Sequence, residues 1–138
     1  FLPPSGISYT RIQNTLPFFE ESHYGKIVLI TSMYTEQATS ELAHYITAKH
    51  ALNGFAKGLA VDLASRGVRI NLVSPGMTNT ALIADVPEKV KLVTAARTPL
   101  KRLAEPKDVA DAVSFLVSEK ADFLTGETIR VNGGQVMW

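Results

Sequence analysis

The sequence predicts an α/β fold built on a parallel sheet, and three observations carry that prediction. Residues 26–31 form an almost unbroken run of aliphatic and β-branched side chains, the pattern of a strand covered on both faces. Residues 42–65 follow with Leu52, Phe55, Ala56, Leu59, Ala60 and Leu63 at i, i+3, i+4, i+7 spacing, which places one apolar face on a helix. Residues 68–73 return to strand composition. Strand, helix and strand make a βαβ unit, whose crossover is right-handed by the general rule.

The remaining elements follow from local chemistry. Residues 1–8, with two prolines and a glycine, read as an irregular lead-in. Ile12, Leu16 and Phe19 set a helix over residues 9–21, with Pro17 as a kink. Gly25 closes the polar link to the first strand, and Gly67 ends the long helix. Ser74-Pro75-Gly76 is expected to break the second strand abruptly, leaving residues 77–85 as a loop or short helical piece. Pro87 starts a helix that runs to residue 96 and is closed by Thr98-Pro99. A further helix begins near Pro106, with Val109, Ala112, Val113 and Leu116 on one face. Thr125-Gly126 turns the chain into a third strand, residues 127–131, which Asn132-Gly133-Gly134 ends. No repeat, low-complexity stretch or long linker divides the sequence, so a single domain is expected over residues 1–138.

Composition narrows the function classes. Charged residues make up 20%, hydrophobic residues 46%, and the net charge is +1, a balance that argues against a nucleic-acid groove or a polybasic membrane patch. A small-molecule or protein partner is expected instead. No apolar run approaches the roughly 20 residues of a membrane span, and the N-terminus lacks the basic region of a signal peptide. Without cysteine there is no disulfide framework or thiolate chemistry, and three scattered histidines do not make a zinc site. His23, His44 and His50 read as surface or packing residues, and the charged stretch 88–101 as a solvated face. A reducing, cytoplasmic compartment fits this usage.

The chemistry-bearing residues gather on one rim. Ligands of open parallel sheets bind outside the carboxyl ends of the strands, and Ser32, Ser74-Pro75-Gly76 and Asn132-Gly133-Gly134 all follow strand ends. The first turn of the long helix carries Tyr45, and Lys49 lies four residues on, hence on the same face. A free phenol has a pKa of about 10, and a neighbouring ammonium favours its phenolate, which suits it to acid and base work. Ser32 is placed to donate a hydrogen bond to the same substrate oxygen. Alone, each signal has an ordinary structural reading: a helical Tyr/Lys pair, a capping hydroxyl, a proline–glycine turn. Gly54 and Gly58, inside the long helix, read as close-packing positions rather than a phosphate loop.

In this order and spacing the residues resemble the C-terminal half of a short-chain dehydrogenase/reductase. The matching motifs are Gly25-Lys26-Ile27-Val28, Thr31-Ser32, Tyr45-x-x-x-Lys49, Gly67-Val68-Arg69-Ile70-Asn71 and Ser74-Pro75-Gly76. They continue through Pro99-Leu100-Lys101-Arg102, Glu105-Pro106, Asp108-Val109-Ala110, Phe115-Leu116, Thr125-Gly126 and Asn132-Gly133-Gly134. The resemblance implies a partial Rossmann-type three-layer fold, the C-terminal half of the doubly wound sheet, and hydride exchange between NAD or NADP and a carbonyl or alcohol substrate. It implies that Tyr45 is the general acid or base, that Ser32 orients the substrate oxygen, and that Lys49 tunes the tyrosine and holds the nicotinamide ribose. It implies further that Pro75, Gly76 and Thr78 line the nicotinamide, that Thr80 lies near the phosphates, that residues 82–96 form a substrate lid, and that the protein is a homo-oligomer, a dimer or tetramer.

Two departures qualify these implications. The family's catalytic asparagine should fall within the first half dozen residues, where none occurs, and Asn14 is misplaced for the role. None of the nine glycines forms a glycine-rich turn between a strand and a helix, so the phosphate cradle of a first half is missing. With Phe1 in place of an initiator methionine, the expectation is that the N-terminal cofactor-binding half is absent and that these residues alone are inactive. A non-catalytic association module is the other reading, with the long helix and the apolar residues Val136, Met137 and Trp138 building a subunit interface.

Overall fold

A computed structural model of the chain describes residues 4–137. The elements are α1 (Pro4–Ser22), β1 (Gly25–Ile30), α2 (Ala43–Ala64), β2 (Val68–Pro75), α3 (Glu88–Arg97), α4 (Pro106–Leu116) and β3 (Thr128–Val131). Single 3-10 turns stand at Met33–Thr35, Ala81–Ile83 and Glu119–Ala121. The strands form one parallel sheet in the order β1-β2-β3, with Gly25 opposite Val68 and Leu72 opposite Thr128.

Strand alternation explains the layers. Ile27 and Leu29 on β1, with Ile70 and Leu72 on β2, face one way and pack with Ile12 of α1 and with Leu52, Ala56 and Ala60 of α2. Val28 and Val73 face the other way and meet Val109, Ala112, Val113 and Leu116 of α4. Ile70, Leu72 and Val73 are fully buried, as expected for a central strand covered on both faces. The sheet thus lies between two helical layers, an α/β architecture with both core clusters apolar.

Several boundaries differ from the sequence expectation. The first helix starts at Pro4 rather than residue 9, so residues 4–8 are helical rather than irregular; the expectation for residues 1–3 falls outside the described residues. Proline is tolerated in a first turn, and a helical glycine costs only about 1 kcal/mol relative to alanine, less than the burial of the Ile12 side chain contributes. Pro17 lies within this helix and does not end it. The second strand does not break at Ser74: its ladder continues through Ser74–Arg130 and Pro75–Val131. Pro75 closes the strand, and the next N–H, that of Gly76, donates to the Val131 carbonyl at 3.0 Å.

Gly54 and Gly58 are not close-packing positions. Both are exposed, and an added Cβ would meet nothing within 4 Å at either. Periodicity located the apolar face of α2 but not the reason for glycine on its outer face. The proposed apolar tail also divides: Val136 is buried at 6% exposure, Met137 is 73% exposed, and Trp138 lies outside the described residues. His23, His44 and His50 are all exposed, and His23 adopts a positive φ of 51° in the turn after α1. Among the described residues no helix is long and apolar enough to cross a membrane, and no group of three or more histidines and carboxylates is arranged to hold a metal.

Candidate active site

The carboxyl ends of β1 and β2 open into a cavity of about 650 Å³. All seven residues singled out in the sequence border it: Ser32, Tyr45, Lys49, Pro75, Gly76, Thr78 and Thr80. Each arrives by a different local device.

Ser32 leaves β1 in extended conformation, and its Oγ accepts the Tyr34 N–H at 3.3 Å as the cap of the Met33–Thr35 turn. The Ser32 carbonyl accepts from the Thr35 N–H at 3.0 Å and from Thr35 Oγ1 at 2.8 Å. This double hold fixes a residue that is only 6% exposed and leaves the serine hydroxyl proton without an acceptor among the described residues. The capping role and the site role therefore coexist in one residue.

Tyr45 and Lys49 stand one turn apart on α2, half-buried on the cavity side. The Lys49 ammonium lies 5.7 Å from the centroid of the Tyr45 ring, within the range of a cation–π contact. Lys49 Nζ donates to the Ile30 carbonyl at 2.8 Å. Burial lowers the pKa of Lys49 from the ordinary lysine value, because desolvation penalises the charged form. It is the only charged side chain that borders the cavity among the described residues.

Pro75 ends β2 and, with the Gly76 that follows, borders the cavity. Thr78 Oγ1 donates to the Gly76 carbonyl at 3.0 Å. The chain beyond is pinned to the segment before α4 by two backbone bonds, Ala104 N–H to Met77 at 3.0 Å and Asn79 N–H to Ala104 at 2.8 Å. Thr80 is exposed at the rim. On the α4 side, Asp108 accepts from the Glu105 N–H at 2.7 Å and pairs with Arg102 at 2.6 and 2.9 Å. These donors hold the Asp108 carboxyl well below the usual carboxylate range and anchor the helix start that carries Pro106 and Val109 to the cavity.

An apolar wall that no spacing in the sequence announces is made by Met33, Leu42, Leu82, Ile83, Val86 and Val109. Part of the signal was present, since Leu82, Ile83 and Val86 fall within the expected lid. Val109 carried the opposite signal, because its helical spacing marks a core face and it serves both surroundings. Asn14 is exposed on α1.

A hydroxyl, a phenol and one ammonium converging beside an apolar wall can bind a polar carbon–oxygen group and exchange a proton with it. Residues 8–135 match the family described as enoyl-(acyl carrier protein) reductase. An uncharacterized oxidoreductase, YmfI of Bacillus subtilis, is 40% identical over 126 residues, covering 91% of this chain and 52% of that protein. The 3-oxoacyl-[acyl-carrier-protein] reductase FabG of Aquifex aeolicus is 40% identical over 122 residues, covering 88% and 49% respectively. The crystal structure of 3-oxoacyl-[acyl-carrier protein] reductase from Brucella melitensis superposes with a TM-score of 0.88 at 33% identity, over 94% of this chain and 49% of that one. The chain spans about half the length of the relatives it matches. Its fold, its motifs and these similarities agree: the chain belongs to the short-chain dehydrogenase/reductase family.

Proposed function

We propose that this chain carries the proton-handling rim of an oxidoreductase that interconverts a carbonyl and an alcohol with NAD or NADP. The observation that supports it most is the convergence of Ser32, Tyr45 and Lys49 on the cavity bordered by Pro75, Gly76, Thr78 and Thr80. The residues fit the nicotinamide–ribose end of such a cofactor: one half-buried ammonium can meet ribose hydroxyls, and Pro75 and Gly76 offer a wall for the ring. The dinucleotide's other end finds no counterpart among the described residues, where no glycine-rich turn leads from a strand into a helix.

When bound, the nicotinamide supplies or accepts the hydride. In the reductive direction the Tyr45 hydroxyl gives its proton to the substrate oxygen, and in the oxidative direction the Tyr45 oxygen takes it back. Ser32 Oγ donates a hydrogen bond to that oxygen and holds it against developing negative charge. Lys49, which donates to the Ile30 carbonyl, would hold the ribose and would set a positive charge beside the phenol. Pro75, Gly76 and Thr78 would back the ring, Thr80 would lie toward the phosphates, and residues 82–96 would cover the substrate. In this reading the molecule works as a cytoplasmic homo-oligomer on a small carbonyl or alcohol.

The test is nicotinamide turnover by the longest native polypeptide that carries these residues. Tyr45→Phe should lower kcat/KM by roughly 10²–10⁴-fold and Ser32→Ala by roughly 10²-fold, with the fold unchanged by circular dichroism. The 138-residue chain alone should turn over no substrate. Full activity in the Tyr45→Phe protein would sink the proposal.

A further inference from the structure

The Pro75-Gly76 turn has two sides. In front lies the cavity of Ser32, Tyr45 and Lys49; behind it lies a second cavity of about 460 Å³, and Gly76 and Met77 border both. The rear cavity is bordered by the loop after β3, which delivers Gln135.

Among the described residues, Gln135 is held at one end only. Its Nε2 donates to Thr98 Oγ1 at 2.7 Å, and Thr98 Oγ1 in turn donates to the Thr94 carbonyl in the last turn of α3 at 2.8 Å. With its proton on the Thr94 carbonyl, Thr98 Oγ1 accepts from the Gln135 amide. The amide oxygen, Oε1, then lies buried with no hydrogen-bond partner among the described residues. It stands against Gly76, where an added Cβ would collide with it. A buried unpaired amide oxygen is unfavourable in itself, so its placement calls for a physical reason.

The surrounding loop is built to bring it there. Gly133 and Gly134 have φ of 60° and 86°. A Cβ on Gly133 would stand 2.7 Å from Thr98 Cγ2, and one on Gly134 2.9 Å from Pro99 Cγ. The Leu100 N–H donates to the Gly133 carbonyl at 3.3 Å, and the Gly134 N–H donates to Asn132 Oδ1 at 3.0 Å. Thr98 is 2% exposed. The exit of α3, the loop after β3 and the back of Gly76 are therefore packed as one unit.

We propose that Gln135 is a positioning residue: it wedges Gly76 from behind and, through Thr98, ties the wall of the active-site cavity to the C-terminal end of α3. The wall and the helix that ends the substrate cover then shift together rather than independently. The functional half of this proposal rests on the reading of Pro75 and Gly76 as the nicotinamide wall. The mechanical half does not.

Amide exchange on the 138-residue chain tests the mechanical half without cofactor. The probes are the Gly76 N–H, bonded to Val131, the Thr98 N–H, bonded to Thr94, and the Leu72 N–H, bonded to Glu127, as the core reference. Gln135→Met, which keeps the volume, and Thr98→Val, which removes the hydroxyl, should each speed exchange at Gly76 roughly tenfold and leave Leu72 unchanged. Thr98→Ser should restore the original rate. Unchanged exchange at Gly76 in Thr98→Val, or equal acceleration at Leu72, overturns the linkage. In the longest native polypeptide that carries these residues, Gln135→Met and Thr98→Val should raise the dinucleotide KM more than the substrate KM. The two effects should be non-additive in the double variant. An intact linkage with an unchanged dinucleotide KM would overturn the assignment of the wall to the nicotinamide and leave Gln135 a structural wedge only.

Discussion

Ser74 is completely buried, and among the described residues its hydroxyl has no hydrogen-bond partner. An unpaired buried hydroxyl carries its desolvation cost without return, so Ser74→Ala should stabilise the chain by about 1 kcal/mol, read as a higher urea midpoint at unchanged slope. A lower midpoint would show that the hydroxyl is satisfied after all. Lys49 gives a prediction with a sign. Its folded pKa is lowered by burial from 10.5, so between the folded value and 10.5 the unfolded chain holds more protons and stability rises with pH. Lys49→Met should flatten that rise in denaturation midpoints taken across the alkaline range. Ser32, Tyr45 and Lys49 were legible because fixed helical spacing and a strand end determine where they point. Ser74 and Gln135 were not, since whether a polar atom finds a partner depends on neighbours far away in the chain.

At the level of elements, α2 was located by its apolar periodicity to within a residue at each end, yet that pattern says nothing of the helix's outer face. Gly54 and Gly58 sit there with open space where a Cβ would go and without positive φ. Gly54→Ala and Gly58→Ala should each stabilise by roughly 0.5–1 kcal/mol by reducing unfolded-state freedom, measured by thermal unfolding at low protein concentration. The α4 start behaves differently. Asp108 is held ionised by Arg102 and the Glu105 N–H, so its contribution is complete above its ordinary value of 3.8 and is lost as pH falls below that toward the folded value. Asp108→Asn should therefore lower stability at neutral pH, and the gap from the parent protein should close in acid. The misplaced starts and stops share a cause: Pro4 and Pro75 are local breakers, but a helix start and a strand end are the two places where a missing N–H costs nothing.

For the whole molecule, the sheet is asymmetric. Within the described residues β1 pairs only with β2, and parallel pairing uses alternate residues. The Gly25 N–H donates to Gly67 and the Thr31 N–H to Val73, so the odd-numbered residues of β1 address β2. Lys26, Val28 and Ile30 turn their backbone groups to the open edge, where Lys49 Nζ occupies the Ile30 carbonyl. An exposed edge of this kind is a template for another strand, and the relatives are about twice as long as the span they share with this chain. Amide exchange on β1 should therefore alternate: Ile27 and Leu29 protected, Lys26, Val28 and Ile30 exchanging close to the rate of an unstructured peptide in dilute solution. In a longer polypeptide that adds a parallel strand at this edge, the even-numbered set should become protected while the odd-numbered set stays as it was. Raising the concentration of the isolated chain should slow the even set as well, together with a rise in sedimentation coefficient, because self-association at the edge supplies the same hydrogen bonds. Uniform protection of all five amides in a demonstrated monomer would mean that the open edge is covered by the chain itself, and the asymmetry of the sheet would have to be redrawn.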